Sequence, residues 1–157
     1  MVKKSIYISL AVFTVLLLII GFALKDKLNE YISEQMIKQS GIENKSSVEN
    51  YVKEEYNYTK NGKDYQFTLL EFSSSGCTIC KQMEPVLEEV KSFNQPKVNV
   101  VFLHIMKPEN LGLMKYFGIS AVPMQILLDN QGNEFFRHYG FISAKDLKLK
   151  LNQNPNS

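Results

Sequence analysis

Cys77 and Cys80 are the only cysteines among 157 residues, and they stand three positions apart in SSSGCTIC, residues 73–80. Thiols at that spacing admit three chemistries. A structural disulfide closing so short a loop restricts the unfolded chain by only about 2 kcal/mol, and a staple serves best between distant segments. A zinc site would use the pair as half a tetrahedron, with His104 and His138 available to complete it. Those two are far apart in sequence and no second cysteine pair follows, so a site shared between two chains is the best form of that reading. Thiol–disulfide exchange accounts for the spacing directly. With Cys77 at a helix N-terminus, its sulfur faces backbone N–H groups that lack helical partners and the positive end of the dipole. Cysteines so placed ionise at pKa values of about 3.5–7.5. Cys80, nearly one turn later, lies on the same side but inside the first turn. Cys77 is then the nucleophile toward a partner's disulfide, and Cys80 the resolving thiol that displaces the partner.

Periodicity supplies the elements that must hold the pair. YQFTLLEF reads as a buried strand entering the motif. Ile79, Met83, Val86, Leu87 and Val90 recur at helical spacing after it, with Pro85 one turn in as a kink. VNVVFLHI is a second buried strand, and PENLGLMKYFG opens on Pro and closes on Gly as a short helix does. MQILLD, the turn NQGN and EFFRHYG form an antiparallel pair, and Ser143 caps a last helix with Asp146 in its first turn. The predicted class is α/β, a central sheet with helices on both faces, its cysteines just past a strand's carboxyl end.

Upstream, Ser5–Leu24 is twenty residues without a charge. As a helix it would be roughly 30 Å long, the thickness of a bilayer's hydrocarbon core. The reading is an uncleaved single membrane anchor over residues 1–24; the alternative is a signal peptide cleaved near Gly21-Phe22-Ala23. Lys3 and Lys4 on one side and Lys25 and Lys27 on the other nearly balance, with a mild preference for the bulk of the chain outside the cytoplasm. Residues 25–60 read as a juxtamembrane stalk helix ending at Gly41, then a polar linker, with residues 48–55 open between helix and strand. Asn61-Gly62 signals a hairpin turn, and residues 61–157 are the folded domain. The net charge of +2 comes from 18 Lys+Arg against 16 Asp+Glu, and no basic stripe argues for nucleic acid. The hydrophobic content of 45% excludes intrinsic disorder.

LLEFSSSGCTICKQMEP, FGISAVP and DNQGNEFFRHYGFISAKDL together resemble the thioredoxin superfamily over about residues 64–151. The resemblance implies a redox-active Cys77–Cys80 disulfide and a cis Pro123 facing it. It also implies that the Val122 backbone pairs with a bound partner strand. Glu71 occupies the place of the family's buried acid, where a carboxyl of raised pKa could relay the Cys80 proton; a solvated strand-end Glu is the alternative. His104 falls near the family's lysine partner to that acid, or is a satisfied core histidine. Lys81 either adds positive potential near the thiolate or is a solvated helix residue. The chain departs from the family in having Gly76 where an aromatic usually precedes the first cysteine, and Thr78-Ile79 between the thiols. The expected activity is thiol–disulfide exchange with protein disulfides or dithiols and an upstream electron donor or acceptor, with no cofactor and no metal. Reduction is the preferred direction, because residues 91–108 are too short for the inserted helical domain of disulfide-introducing relatives. A non-catalytic binding module of the same fold is the other reading.

Overall fold

Every residue of FTLLEFS, Phe67–Ser73, is buried. A strand without a polar face must lie at a sheet's centre with cover on both sides. The computed structural model describes the backbone of residues 2–39 and 42–154, and their side chains except those of residues 2–6, 8, 9, 11, 26, 39 and 42–44. In it this segment is β1, flanked by β2 (Val98–His104) in parallel and β3 (Met124–Leu128) antiparallel, with β4 (Glu134–Tyr139) outside β3. The sheet is therefore mixed, in the order β2-β1-β3-β4.

Alternation along β1 divides the core. Phe67 and Leu69 pack with Met83, Leu87 and Val90 of α4 (Thr78–Lys91) and with Leu147 and Leu151 of α6 (Ala144–Asn152). Leu70 and Phe72 face the other way, onto Leu113 and Phe117 of α5 (Leu111–Phe117). The expected caps form: Ser143 Oγ accepts the Asp146 N–H at 3.1 Å, and Pro85 lies inside α4.

Upstream of the sheet the architecture departs from expectation. Residues 42–50, which read as a polar linker, and 48–55, which read as either helix or strand, form α2 (Ile42–Glu55), whose Val52 is 1% exposed and joins the α5-side core with Tyr56. The hairpin expected at Asn61-Gly62 is instead the end of a single helical turn, α3 (Tyr58–Asn61). Gly62, at φ 74°, is its left-handed cap, so the glycine closes a helix where a turn between strands was expected. Tyr58 anchors this turn to the sheet: its hydroxyl lies 2.6 Å from Thr68 Oγ1 and accepts from Asn99 Nδ2 at 2.9 Å.

The segments read as anchor and stalk are one helix, α1 (Val2–Gln39). Val15 to Ile20 are consecutive apolar side chains, all exposed, so more than a full turn has no buried side. Among the described residues no helix is long and apolar enough to cross a membrane. Of the expected span, Ser5, Ile6, Ile8, Ser9 and Ala11 lie outside the described side chains. The second half of α1 docks on the domain. Ser33 is 4% exposed and accepts from Arg137 Nη1 at 3.0 Å, while the same nitrogen donates to the Phe117 carbonyl at 3.2 Å. Gly118, at φ 63°, ends α5 against this helix, and a Cβ there would come within 2.5 Å of the Ser33 carbonyl oxygen.

Candidate active site

The carboxyl end of β1 leads through Ser74–Gly76 into α4, and Cys77 is that helix's N-cap. Its backbone is extended (φ −93°, ψ 115°) and its Sγ accepts the Cys80 N–H at 3.1 Å. The sulfur thus occupies the place of the side-chain oxygen in an ordinary cap, where unpaired amides and the dipole favour negative charge. Cys77 and Cys80 form a disulfide with a Cα–Cα distance of 5.2 Å. Cys77 is half-buried and Cys80 only 3% exposed, heading the inward stripe Cys80, Met83, Leu87, Val90. One sulfur is open to a partner and its neighbour is held behind it.

Beneath α4 lies a row of side chains drawn from four strands. The register sets Glu71 of β1 beside Phe102 of β2 and Gln125 of β3, and Gln125 beside His138 of β4. Glu71 and Gln125 are both completely buried, and Gln125 Nε2 donates to Glu71 Oε2 at 2.9 Å. Burial pushes the Glu71 carboxyl up to about 8, opposed by that hydrogen bond, which favours the ionised form. Glu71 is therefore the buried strand acid expected from the resemblance, and the solvated strand-end alternative is excluded.

His104 is not the acid's neighbour; Phe102 is. His104 pairs with Ser73 instead, and its ring holds the loop before the cysteines. Nε2 lies 3.2 Å from the Ser75 nitrogen and 3.0 Å from its hydroxyl, and Nδ1 lies 3.2 Å from the Met106 nitrogen; a neutral ring accepts at one of its two nitrogens and donates from the other. His138 Nε2 lies 3.0 Å from the Phe141 carbonyl. Among the described residues no three of His, Cys, Asp and Glu gather as a metal site requires. Lys81 is exposed on the outer side of α4. Val122-Pro123 is a cis peptide, with Val122 half-buried, and it precedes Met124, which pairs with Phe72 at the end of β1. The register thus brings the Val122-Pro123 loop to the sheet end from which the cysteine loop departs.

Three features escaped the sequence reading. Gln95-Pro96 is a second cis peptide, for which no signal was visible. The His104–Ser75 clamp joins residues 29 apart, beyond the reach of local pattern. Gln125 did carry a signal, as the lone polar residue inside the apolar run MQILL two positions after Pro123.

Comparison with known proteins agrees with this geometry. Residues 52–154 match the thioredoxin-like domain family. The chain is 29% identical over 126 residues to the thiol:disulfide interchange protein DsbD of Haemophilus influenzae, covering 70% of this chain and 21% of that protein. It is 30% identical over 74 residues to the thioredoxin-like protein HCF164, chloroplastic, of Arabidopsis thaliana, covering 47% of this chain and 27% of that one. The chain thus spans less than a third of either relative's length. Among solved structures, a thioredoxin-like protein from Clostridium perfringens superposes with a TM-score of 0.54 at 23% identity, over 63% of this chain and 79% of its own. Thioredoxin-2 of the malaria parasite gives 0.51 at 20%, over 57% and 84%. These superpositions show the fold. With the family match over most of its length and its Cys-x-x-Cys pair closed at the start of α4, the chain belongs to the thioredoxin-like family.

Proposed function

We propose that this protein is a membrane-tethered reductase of protein disulfides, working outside the cytoplasm. The observation that carries the chemistry is Cys77 as the N-cap of α4 with Cys80 buried one turn behind it. In the reduced enzyme the Cys77 thiolate attacks one sulfur of a partner disulfide. That S–S bond breaks, the partner's other sulfur leaves as a thiolate, and a mixed disulfide remains. The Cys80 thiolate then attacks Cys77 Sγ, releasing the partner's second thiolate and closing the enzyme disulfide. Two electrons pass to the partner, and an external dithiol donor restores the enzyme. Glu71, buried on the sheet face that α4 covers, accepts the Cys80 proton for the second step. The Val122 backbone beside cis Pro123 is where a partner strand pairs.

The tether reading rests on the charge-free stretch Ser5–Leu24 and on apolar side chains exposed on all sides of α1. The docking of α1 adds a direction. Asn29 meets Ser120, beside the cis-proline loop, whereas Ser33 and Ile37 lie against Gly118 and Arg137 farther along the helix. The apolar half therefore runs on past the sheet end that carries the cysteines, and an inserted helix turns that end toward the bilayer. The direction of electron flow follows from the reduction potential of the full chain. A value near −270 mV fits a reductant, and one near −120 mV overturns the direction proposed here. Labelling of reduced cysteines by a membrane-impermeant maleimide on intact cells tests the location: modification is expected, and protection until lysis contradicts it.

A further inference from the structure

We infer that Gln125 is a positioning residue for the second half of the exchange, holding the Glu71 carboxyl and keeping its proton transferable. This rests on the proton-relay reading of Glu71 given above. The register makes Glu71 and Gln125 direct antiparallel partners, so both side chains rise from the same face, the one covered by α4. Both are inaccessible to solvent, and a single hydrogen bond of 2.9 Å joins them.

The surroundings offer the carboxyl nothing else. Across β2 stands Phe102, whose outer side is lined by Glu84, Glu88 and Lys91. From α4 the side chains buried over this face are Cys80, Met83, Val86, Leu87 and Val90, and from α6 Ala144, Leu147 and Leu151. Lys81, Glu84, Glu88 and Lys91 of α4 and Lys145, Asp146, Lys148 and Lys150 of α6 are exposed. On β4, beyond Gln125, His138 is engaged with the Phe141 carbonyl. Among the described residues, the titratable groups on this side that are not exposed are Glu71, the two cysteines and His138, and of these only Glu71 is bonded to Gln125.

The bond acts on the charged form. A carboxylate in this apolar layer, without a donor, would hold its proton too tightly to take another from a thiol at physiological pH. The Gln125 N–H stabilises the ionised state and lowers the cost of emptying the site. Among the described residues, Glu71 Oε1 and Gln125 Oε1 have no hydrogen-bond partner, so the Gln125 N–H is the one bond this carboxyl has.

The test uses the reduced full chain and the aromatic disulfide dithiobis-nitrobenzoate, which releases one coloured thiolate on Cys77 attack and a second when Cys80 closes the ring. Each phase is followed across pH. Gln125→Met, nearly isosteric and without the amide, should move the midpoint of the second phase upward by about one to two pH units and leave the first phase unchanged. Gln125→Leu should do the same and serves if the Met variant does not fold. Glu71→Gln should abolish the pH step in the second phase. A second-phase midpoint that does not move in the Gln125 variants, while Glu71→Gln removes the step, overturns the role of Gln125 alone. A step that persists in Glu71→Gln overturns the relay itself. Slowing of both phases at every pH without a shifted midpoint marks Gln125 as merely structural and also overturns the inference.

Discussion

The two faces of β1 are buried to the same depth and handle their polar groups differently. Toward α2 and α5 the strand presents Leu70, Phe72 and one polar residue, Thr68, whose hydroxyl is paired with Tyr58 at 2.6 Å. Toward α4 and α6 it presents Phe67, Leu69 and then Glu71, which is only partly paired and keeps an unbonded oxygen. A fully satisfied polar cluster rigidifies, whereas an unsatisfied one lowers stability. The exception sits at the end of the strand from which the cysteine loop departs. That placement separates the two faces: one is filled by packing, and the other carries a costly buried acid under the helix that starts at Cys77.

Substitutions on the two faces should therefore fail in different ways. The largest effect lies at the thiols. Cys77→Ser should abolish reduction of insulin disulfides, and Cys80→Ser should accumulate mixed disulfides visible on non-reducing gels. Equal trapping by both variants would reverse or remove the assignment of nucleophile and resolver. On the packing face, Leu70→Ala should cost about 2–5 kcal/mol in denaturant unfolding yet leave the pH dependence of exchange intact. A shifted pH profile in that variant would erase the distinction between the faces.

Glu71 gives the opposite signature. Its carboxyl titrates near 8 when folded and near the ordinary 4.5 when unfolded, so the native state holds more protons between those values. Stability should therefore be greatest below about pH 4.5, fall as pH rises toward 8, and level off above it. The loss is on the order of 5 kcal/mol and should vanish in Glu71→Leu. Chemical denaturation of both proteins at several pH values measures it, and parallel curves would contradict it. The smallest expected effect is on the scaffold again. Ser143→Ala removes the α6 cap and should cost about 1 kcal/mol with no change in exchange.

Much of this division could be read from local pattern. Strands and helices from residue 67 onward announce themselves by period, and the thiols by spacing. Ser143 is visible as a cap because its partner Asp146 is three residues away. What escaped depends on distant contacts. Residues 42–55 look polar, and only Val52 and Tyr56, brought against α5, make them part of the core. Gly62 offers the same left-handed backbone to a hairpin or a helix end, and Tyr58 reaching Thr68 coincides with the helical choice. The acid's partner shows the same limit most clearly. It comes from β3, and residues 54 apart meet only once the antiparallel register is known.

The central claim is that the N-terminal amides of α4 hold Cys77 as a thiolate near neutral pH. The direct test is the rate of iodoacetamide alkylation of Cys77 against pH, in the reduced Cys80→Ser chain. The expected midpoint lies well below the ordinary cysteine value of about 8.5, within the range of about 3.5–7.5 seen at helix starts. A midpoint at or above about 8.5 would contradict it.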